Sequence, residues 1–384
     1  MRFEFSTAER IVFGGGVACD LPRWVSGLGQ RALVVTGRSP ARTAALQESL
    51  RGAGLWLTVL PIEGEPTISV IEDGLTQARN AGCDVVVAIG GGSAIDAGKA
   101  LAALATNPGP VLDYLEIIGL ARPLAQAPLP FVAVPTTAGT GAEVTENAVL
   151  SSPEHRLKVS LRDPRMLPRL AIVDPQLTRD LPPAVTARTG MDALTQLIEP
   201  FVSPKATPMT DALCRDGIAR AARSLKRAFT DGQNPAARED MALSSLLGGI
   251  ALANAKLGAV HGFAAVLGGV LPGAPHGAIC ARLLPLVCRA NLTALSRRAP
   301  HSPSLERYGE VARLLTGNPG ARPEDGLAWL QTLGDDLSIP SLSTLGLTPW
   351  QFDEIAAKAR QTSSMKGNPI ELTLEDLLEI LQTA

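Results

Sequence analysis

The sequence lacks the features that mark membrane, secreted and nucleic-acid-binding proteins. No run reaches the roughly 18 apolar residues needed to span a bilayer, and Met1–Phe5 has no apolar signal-peptide core. With 35 Lys and Arg against 37 Asp and Glu, the formal net charge of −2 offers no basic surface for nucleic acid. We therefore expect a cytoplasmic globular protein with neither a membrane nor a nucleic-acid partner.

Cysteine is scarce, and no two cysteines have the spacing of a metal-binding pair. The five cysteines are odd in number and contain no C-x-x-C. They are Cys19, Cys83, Cys214, Cys280 and Cys288. This usage is typical of reduced thiols inside a cell, and it predicts neither a disulfide framework nor a cysteine metal site.

The pattern of hydrophobic residues changes near residue 180, and a chain of 384 residues is long enough for two domains. Before that point, strand-like aliphatic runs (31–37, 55–60, 85–89, 130–134) alternate with helical patterns (41–50, 69–81, 94–104). This alternation predicts an α/β domain with a Rossmann-like parallel sheet over 1–180. Beyond it, Ala/Leu-rich patterns (185–202, 209–228, 237–257, 327–333) predict an all-α domain over 181–384.

The strand at 85–89 ends in Gly90-Gly91-Gly92-Ser93, the segment around which the first domain is organised. We expect the glycines to turn with positive φ and Ser93 to cap the following helix. A strand, a glycine turn and a helix N-terminus form an anion site, because free N–H groups point at the ligand. An ordinary structural corner is the alternative, since the pattern is not the G-x-G-x-x-G fingerprint.

Two further polar loops follow predicted strands. Gly37-Arg38-Ser39 follows the first strand, and residues 135–145 interleave small hydroxyl side chains with glycine. Ligands of such sheets bind beyond the carboxyl ends of the strands, so these loops suit a nucleotide; ordinary surface loops are the alternative. Alternation at 156–161 predicts a hairpin arm whose Lys158 is either a fixed cation or a solvated lysine.

Four residues of the second half have the chemistry of a metal site. Asp192 and Gln196 are four apart and project from one helix face. His261 and His276, two of only four histidines, are each followed by glycine. Imidazole and carboxylate suit Zn²⁺ or Fe²⁺. The alternative is a pair of hydrogen-bonded core histidines and a solvated polar pair.

Together these segments resemble the iron-containing (group III) alcohol dehydrogenase family along nearly the whole chain. The matching motifs are Phe13-Gly14-Gly15-Gly16, Gly90 to Ser93 with Asp96 and Lys99, Pro135 to Thr140, Gly190 to Thr195, the two His-Gly sites and Gly367-Asn368-Pro369. The resemblance implies a dehydroquinate synthase-like architecture, with a dinucleotide-binding α/β domain and a helical domain. It also implies that the cofactor pyrophosphate is held by Gly91, Gly92 and Ser93, and the rest of the nucleotide by Thr136, Thr137, Thr140 and Lys158.

The same resemblance implies a metal site of one Asp and three His, of which Asp192, His261 and His276 are present. Gln196 stands at the remaining ligand position, where the family has histidine, and a neutral amide oxygen is a poorer donor. The two histidines are 15 residues apart, one more than is usual, with Gly273 as the extra residue. Ala265 replaces a further histidine that many members use to relay protons.

The turn after the first strand bears on the choice of cofactor. An acidic residue there would bond the ribose hydroxyls and favour NAD. This chain has Gly37, Arg38 and Ser39, and an arginine with a hydroxyl suits the 2′-phosphate of NADP. We expect NADP(H), with NAD(H) or a solvated Arg38 as alternatives.

The predicted function is that of an NAD(P)-dependent alcohol dehydrogenase or aldehyde reductase acting on a small alcohol or carbonyl compound. Fe²⁺ or Zn²⁺ held by Asp192, Gln196, His261 and His276 assists the reaction; without metal, His261 or His276 donates the proton. The alternatives are a metal-independent enzyme similar to maleylacetate reductase and a nucleotide-binding protein without turnover. We expect a homo-oligomer, since closed symmetric assemblies are the commonest.

Overall fold

The computed structural model describes residues 2–155, 157–271 and 273–384, so Arg156, the first residue of the predicted hairpin arm, lies outside it. The chain forms two compact units. One comprises Thr7–Thr137 and Gly141–Thr178. The other comprises the residues up to Ser6, Ala138–Thr140 and Arg179–Ala384. We call them the nucleotide unit and the helical unit.

The nucleotide unit is built on a six-stranded parallel sheet with the strand order β1-β8-β5-β4-β2-β3. Its strands are β1 (Ile11–Phe13), β2 (Arg31–Gly37), β3 (Trp56–Ile62), β4 (Val85–Gly90), β5 (Phe131–Pro135) and β8 (Leu170–Val173). Every residue of β4 is buried, as expected for a central parallel strand covered on both faces. The predicted parallel α/β sheet is confirmed.

Helices cover both faces of this sheet. They are α1 (Leu21–Val25), α2 (Ala44–Gly52), α3 (Ile68–Asn80) and α4 (Gly92–Ala105). Alternate side chains of β2 enter different cores: Leu33 packs in the same cluster as α3 and α4, and Val34 in the same cluster as α1 and α2. This period-2 alternation on a strand buried on both sides produces the continuous aliphatic run seen in the sequence.

Several boundaries differ from the sequence prediction. The helix predicted over 41–50 is a short 3₁₀ turn, Pro40–Thr43, followed by α2. The edge strand β3 extends to Ile62 instead of ending at residue 60. The strands β1 and β8 were not predicted, because three and four residues are too few to display a period.

The predicted hairpin arm is present. The strands β6 (Asn147–Ser152) and β7 (Leu157–Arg162) pair antiparallel. Buried Lys99 of α4 anchors this hairpin, because its ammonium donates to the Thr145 hydroxyl (2.8 Å) and to the Asn147 carbonyl and pairs with Asp96 (3.2 Å). Asp96 in turn accepts from the Val149 amide of β6 at 3.2 Å.

The helical unit contains nine α-helices and, within its described residues, no β-strand. They are α5 (Pro183–Val202), α6 (Pro208–Thr230), α7 (Pro235–Ala255), α8 (Ala259–Val270), α9 (His276–Arg298), α10 (Pro303–Thr316), α11 (Pro323–Asp336), α12 (Phe352–Arg360) and α13 (Leu374–Thr383). The prediction of an all-α second half is confirmed. The sequence does not predict the bounds of α8 and α9, the helices that carry the two candidate histidines.

The helix α9 is long and apolar enough to cross a membrane by length and composition alone. Its most apolar 18 residues have a mean hydropathy of 1.4, and 72% of that stretch is buried. Arg282 and Arg289 interrupt its apolar run. A helix that is buried nearly all round in a protein core has the same composition, and the burial of α9 is of that kind.

A buried carboxyl beside the hairpin predicts how stability depends on pH. Burial raises the pKa of Glu143 from 4.5 to about 7 against the opposing pull of Lys99. Between those pH values the folded state holds a proton that the unfolded state has lost, so the free energy of unfolding falls as pH rises. We expect wild type to lose on the order of 3 kcal/mol relative to Glu143→Gln between pH 4.5 and 7.5.

Urea denaturation of both proteins across that range measures the effect. Taking the difference between them cancels the contributions of all other titrating groups. If the two proteins show the same pH dependence, the pKa of Glu143 does not change on folding and the expectation is wrong.

Candidate functional site

The glycine segment after β4 is shaped by close packing, and two of its predicted details are wrong. The helix α4 begins at Gly92 with Gly91 as its N-cap, so Ser93 lies inside the first turn and does not cap it. None of Gly90, Gly91 and Gly92 has a positive φ. A Cβ on Gly90 would lie 2.6 Å from the Ala94 methyl and 3.1 Å from the Gly37 amide nitrogen, so the absence of a side chain is what this turn requires.

Three of the predicted nucleotide loops meet at one edge of the sheet, because β2, β4 and β5 are neighbours that run in parallel. The Thr136 amide donates to the Gly90 carbonyl at 2.8 Å, and a Cβ on Gly91 would be 3.3 Å from the Thr137 side chain. The N-terminus of α4 lies at this edge. Its free N–H groups and the positive end of its dipole suit a phosphate.

The remaining predicted nucleotide residues divide into three groups. Arg38 and Ser39, in the loop after β2, are exposed and therefore accessible to a nucleotide. Lys158 is a fixed cation: its side chain is 9% exposed, and its ammonium lies 3.0 Å from Glu65. Thr140 belongs with the helical unit.

In the helical unit, α5, α8 and α9 bring together four side chains with metal-binding donors. They are Asp192 of α5, His261 of α8, and His276 and Cys280 of α9. One ligand atom from each lies within 4.8 Å of the other three. The Nε2 atoms of His261 and His276 are 3.5 and 3.8 Å from Asp192 Oδ1. We call these four residues the donor cluster.

A further carboxylate, Glu199, orients His261 and was missed in the sequence. It lies seven residues after Asp192, two turns along α5, and is 5% exposed. Its Oε2 is 2.6 Å from His261 Nδ1, and its Oε1 accepts from the Val260 amide at 2.7 Å. With Nδ1–H donating to Glu199, Nε2 carries the lone pair that faces Asp192, which is the arrangement typical of metal-ligating histidines.

Two buried oxygens of α5 lack hydrogen-bond partners among the described residues: Asp192 Oδ1 and Gln196 Oε1. The His261 nitrogen is too far from Asp192 Oδ1 for a normal hydrogen bond. A buried polar atom without a partner costs about 1–3 kcal/mol, more if charged. The chemistry of the carboxylate, the two imidazoles and the thiol therefore fits a divalent cation. Such a cation would also supply the partner that the Asp192 oxygen lacks among the described residues.

The electrostatics of the donor cluster also favour a cation. Burial lowers the pKa of His261, but Cys280 and Glu199 raise it more, and the net pKa lies well above its ordinary value. The pKa of His276 is raised in the same way by Cys280 and Asp192. Burial raises the pKa of Asp192, yet the two histidines lower it further, so its carboxylate is held ionised. A field that favours imidazolium also favours a metal cation.

Cys280 lies among these donors, although the sequence predicts no cysteine metal site. That expectation depended on the absence of a C-x-x-C pair. Such a pair marks a metal site only when the ligands come from one short segment. Here the donors come from three helices far apart in sequence. Cys280 lies four residues after His276, on the same face of α9, and that spacing was the available signal.

Two family models cover most of the chain. One, for iron-containing alcohol dehydrogenase, matches residues 8–175. The other, for the C-terminal part of the Fe-containing alcohol dehydrogenase family, matches residues 186–384. The chain belongs to the iron-containing alcohol dehydrogenase family. It is therefore an oxidoreductase that acts on CH–OH groups, and the predicted family, dehydroquinate synthase-like fold and enzyme class are confirmed.

Individual members of the family are similar along their whole length. A 1,3-propanediol dehydrogenase of Klebsiella pneumoniae is 37% identical over 368 residues, which are 93% of this chain and 92% of the relative. The crystal structure of a 1,3-propanediol oxidoreductase has a TM-score of 0.91 and 35% identity, with 100% of this chain and 99% of that chain covered. A sulfoacetaldehyde reductase from Bifidobacterium kashiwanohense, solved in complex with NAD⁺, has a TM-score of 0.87 and 28% identity, with 100% and 98% covered.

Proposed function

We propose that this iron-containing alcohol dehydrogenase interconverts a small primary alcohol and its aldehyde, with NADP(H) preferred over NAD(H). The observation that carries the proposal is the donor cluster, in which a carboxylate and two imidazoles converge and one buried carboxylate oxygen has no hydrogen-bond partner among the described residues. The proposal divides the chain into residues 1–180 for the nucleotide and 181–384 for metal and substrate. When bound, the nicotinamide would supply or accept the hydride, and a divalent metal held by the donor cluster would polarise the substrate oxygen.

The residues proposed for the metal are Asp192, His261 and His276, with Gln196 as the fourth donor expected from sequence. Asp192 supplies the charge that neutralises a cation, since its carboxylate is held ionised. Glu199 fixes the His261 ring so that Nε2 remains a lone-pair donor. The His276 side chain is 31% exposed against 7% for His261, so His276 is the histidine proposed to donate a proton when no metal is bound.

The residues proposed for the nucleotide are those of the three loops. Gly91, Gly92 and Ser93 at the start of α4 hold the pyrophosphate; Gly37 to Ser39, Thr136, Thr137, Thr140 and Lys158 bind the rest. The open space beside Gly37 supports this assignment, because a Cβ there would meet nothing within 4 Å and a ligand can lie against the backbone. Arg38 and Ser39, both exposed, are placed to bind a 2′-phosphate.

Removal of metal tests the reaction class. We expect a chelator to abolish NADPH oxidation with a panel of small aldehydes, and Zn²⁺ or Fe²⁺ to restore it, because the Lewis acid that polarises the carbonyl oxygen is then removed and returned. Elemental analysis should find about one metal per chain, because the described residues contain one such donor cluster. Full activity in protein shown to be free of metal would instead favour the metal-independent reductase. Tight NADPH binding without turnover of any aldehyde or keto acid would favour the nucleotide-binding protein.

Replacement of Arg38 tests the preference for NADP. We expect wild type to have the higher kcat/KM with NADPH. Arg38→Ala should lower that value by roughly tenfold or more and leave the value with NADH within about twofold, because only NADPH carries the 2′-phosphate. The control is Arg51→Ala, which removes another exposed arginine of the same unit, paired with Glu48 at 2.9 Å. A wild-type kcat/KM that is higher with NADH contradicts the preference.

A further inference from the structure

The fourth member of the donor cluster is a sulfur atom. Cys280 is fully buried, one turn beyond His276 on α9. Its Sγ lies 3.5 Å from His276 Nε2 and 3.9 Å from His261 Nε2. Both nitrogens are also those closest to Asp192 Oδ1, so the sulfur faces the same point as the carboxylate and the two imidazoles.

The separations between these donors match the edges of a tetrahedral site. Zn–S bonds of about 2.3 Å and Zn–N bonds of about 2.05 Å, set at the tetrahedral angle, place sulfur and nitrogen roughly 3.6 Å apart. Nitrogen and carboxylate oxygen are then roughly 3.3 Å apart. The observed sulfur–nitrogen distances are 3.5 and 3.9 Å, and the observed nitrogen–oxygen distances are 3.5 and 3.8 Å. Shifts of up to about half an ångström would bring these four pairs to the tetrahedral distances.

Neither of the other nearby donors competes well with Cys280. Gln196 offers only a neutral amide oxygen, which is a weaker ligand for zinc than a thiolate. Cys288 is on the same helix two turns later and is also buried, but it lies outside the donor cluster.

We propose that Cys280, as a thiolate, is the fourth protein ligand of the metal. This inference rests on the metal site of the proposed function and changes its donor set to Asp192, His261, His276 and Cys280, with Gln196 outside the coordination sphere. The thiol proton is released to solvent when the metal binds. Because thiolate is a soft ligand, the site prefers Zn²⁺, and Co²⁺ as its spectroscopic substitute, to Fe²⁺.

Cobalt titration of the metal-free full-length protein tests the assignment. Wild type and Cys288→Ser should show the intense near-ultraviolet charge-transfer band of a Co²⁺–thiolate bond, and Cys280→Ser should bind Co²⁺ without that band. Gln196→Ala should keep the band. In competition with a chromophoric chelator, the Zn²⁺ affinity of Cys280→Ser should fall by roughly tenfold or more relative to Cys288→Ser.

The outcomes separate the ligand assignment from the proposed function. If wild type binds Co²⁺ without the band, or if the band persists in Cys280→Ser, Cys280 is not a ligand, although the metal site stands. If wild type binds no Co²⁺, the metal site itself is wrong. Should Cys280→Ser fail to fold, X-ray absorption of the wild-type zinc protein decides, since a sulfur neighbour of zinc is expected and its absence overturns the assignment. NADPH turnover by wild type tests the reaction independently.

Discussion

Replacement of Asp192 by asparagine is expected to lower kcat/KM by about a thousandfold, which corresponds to roughly 4 kcal/mol of transition-state stabilisation. The same variant should lose most of its bound metal. Asp192 is the only carboxylate in the donor cluster, and an uncharged amide cannot neutralise a divalent cation among buried imidazoles. Elemental analysis and steady-state kinetics with NADPH and an aldehyde measure the two effects.

The matched control for this prediction is Asp335→Asn, the same chemical change at an exposed position of α11 in the same unit. It should retain metal and activity within about twofold, as surface substitutions usually do. Circular dichroism and thermal unfolding of both variants establish that they are folded. Full metal content and full activity in Asp192→Asn would show that the donor cluster does not hold the metal.

The parts of this fold that the sequence predicts are those set by local pattern. The aliphatic run ending at Ile89 is visible because a central parallel strand is buried on both faces. The i,i+4 spacing of Asp192 and Gln196 predicts that both project from one face of α5, and both are buried there. The short strands β1 and β8 escape detection because they are defined by their neighbours in the sheet rather than by their own composition.

The parts of the site that the sequence does not predict depend on packing between segments distant in the chain. Glu199 supports His261, although 62 residues separate them. Cys280 joins the donor cluster because α9 packs beside both α5 and α8, which no spacing rule for cysteine describes. Gly90 shows the same limit in part: its φ is not positive, and a side chain is excluded by the Ala94 methyl of the next helix together with Gly37 on the neighbouring strand.

Substitution of Gly277 should have a similarly large effect on stability through packing, because Gly277 determines how closely α9 approaches α5. A Cβ at this position would overlap the carbonyl oxygen of Arg188 and lie 2.9 Å from the carbonyl carbon. Both atoms are backbone, so the clash is relieved only if one helix moves. We expect Gly277→Ala to lower the free energy of unfolding by about 2–4 kcal/mol and to weaken metal binding, because His276 and Cys280 move with α9.

Gly334→Ala is the control for this prediction, since Gly334 also lies within a helix, α11, and a Cβ there meets nothing within 4 Å. Alanine is the better helix former, so this variant should gain up to about 1 kcal/mol. Urea denaturation gives both values, and equal stabilisation by the two substitutions would mean that α9 can withdraw from α5 without cost. The expected result is that Gly277→Ala lowers the free energy of unfolding, that Gly334→Ala raises it, and that only Gly277→Ala loses metal. This result would show that the spacing of two helices, rather than the identity of the ligands alone, determines whether the donor cluster forms.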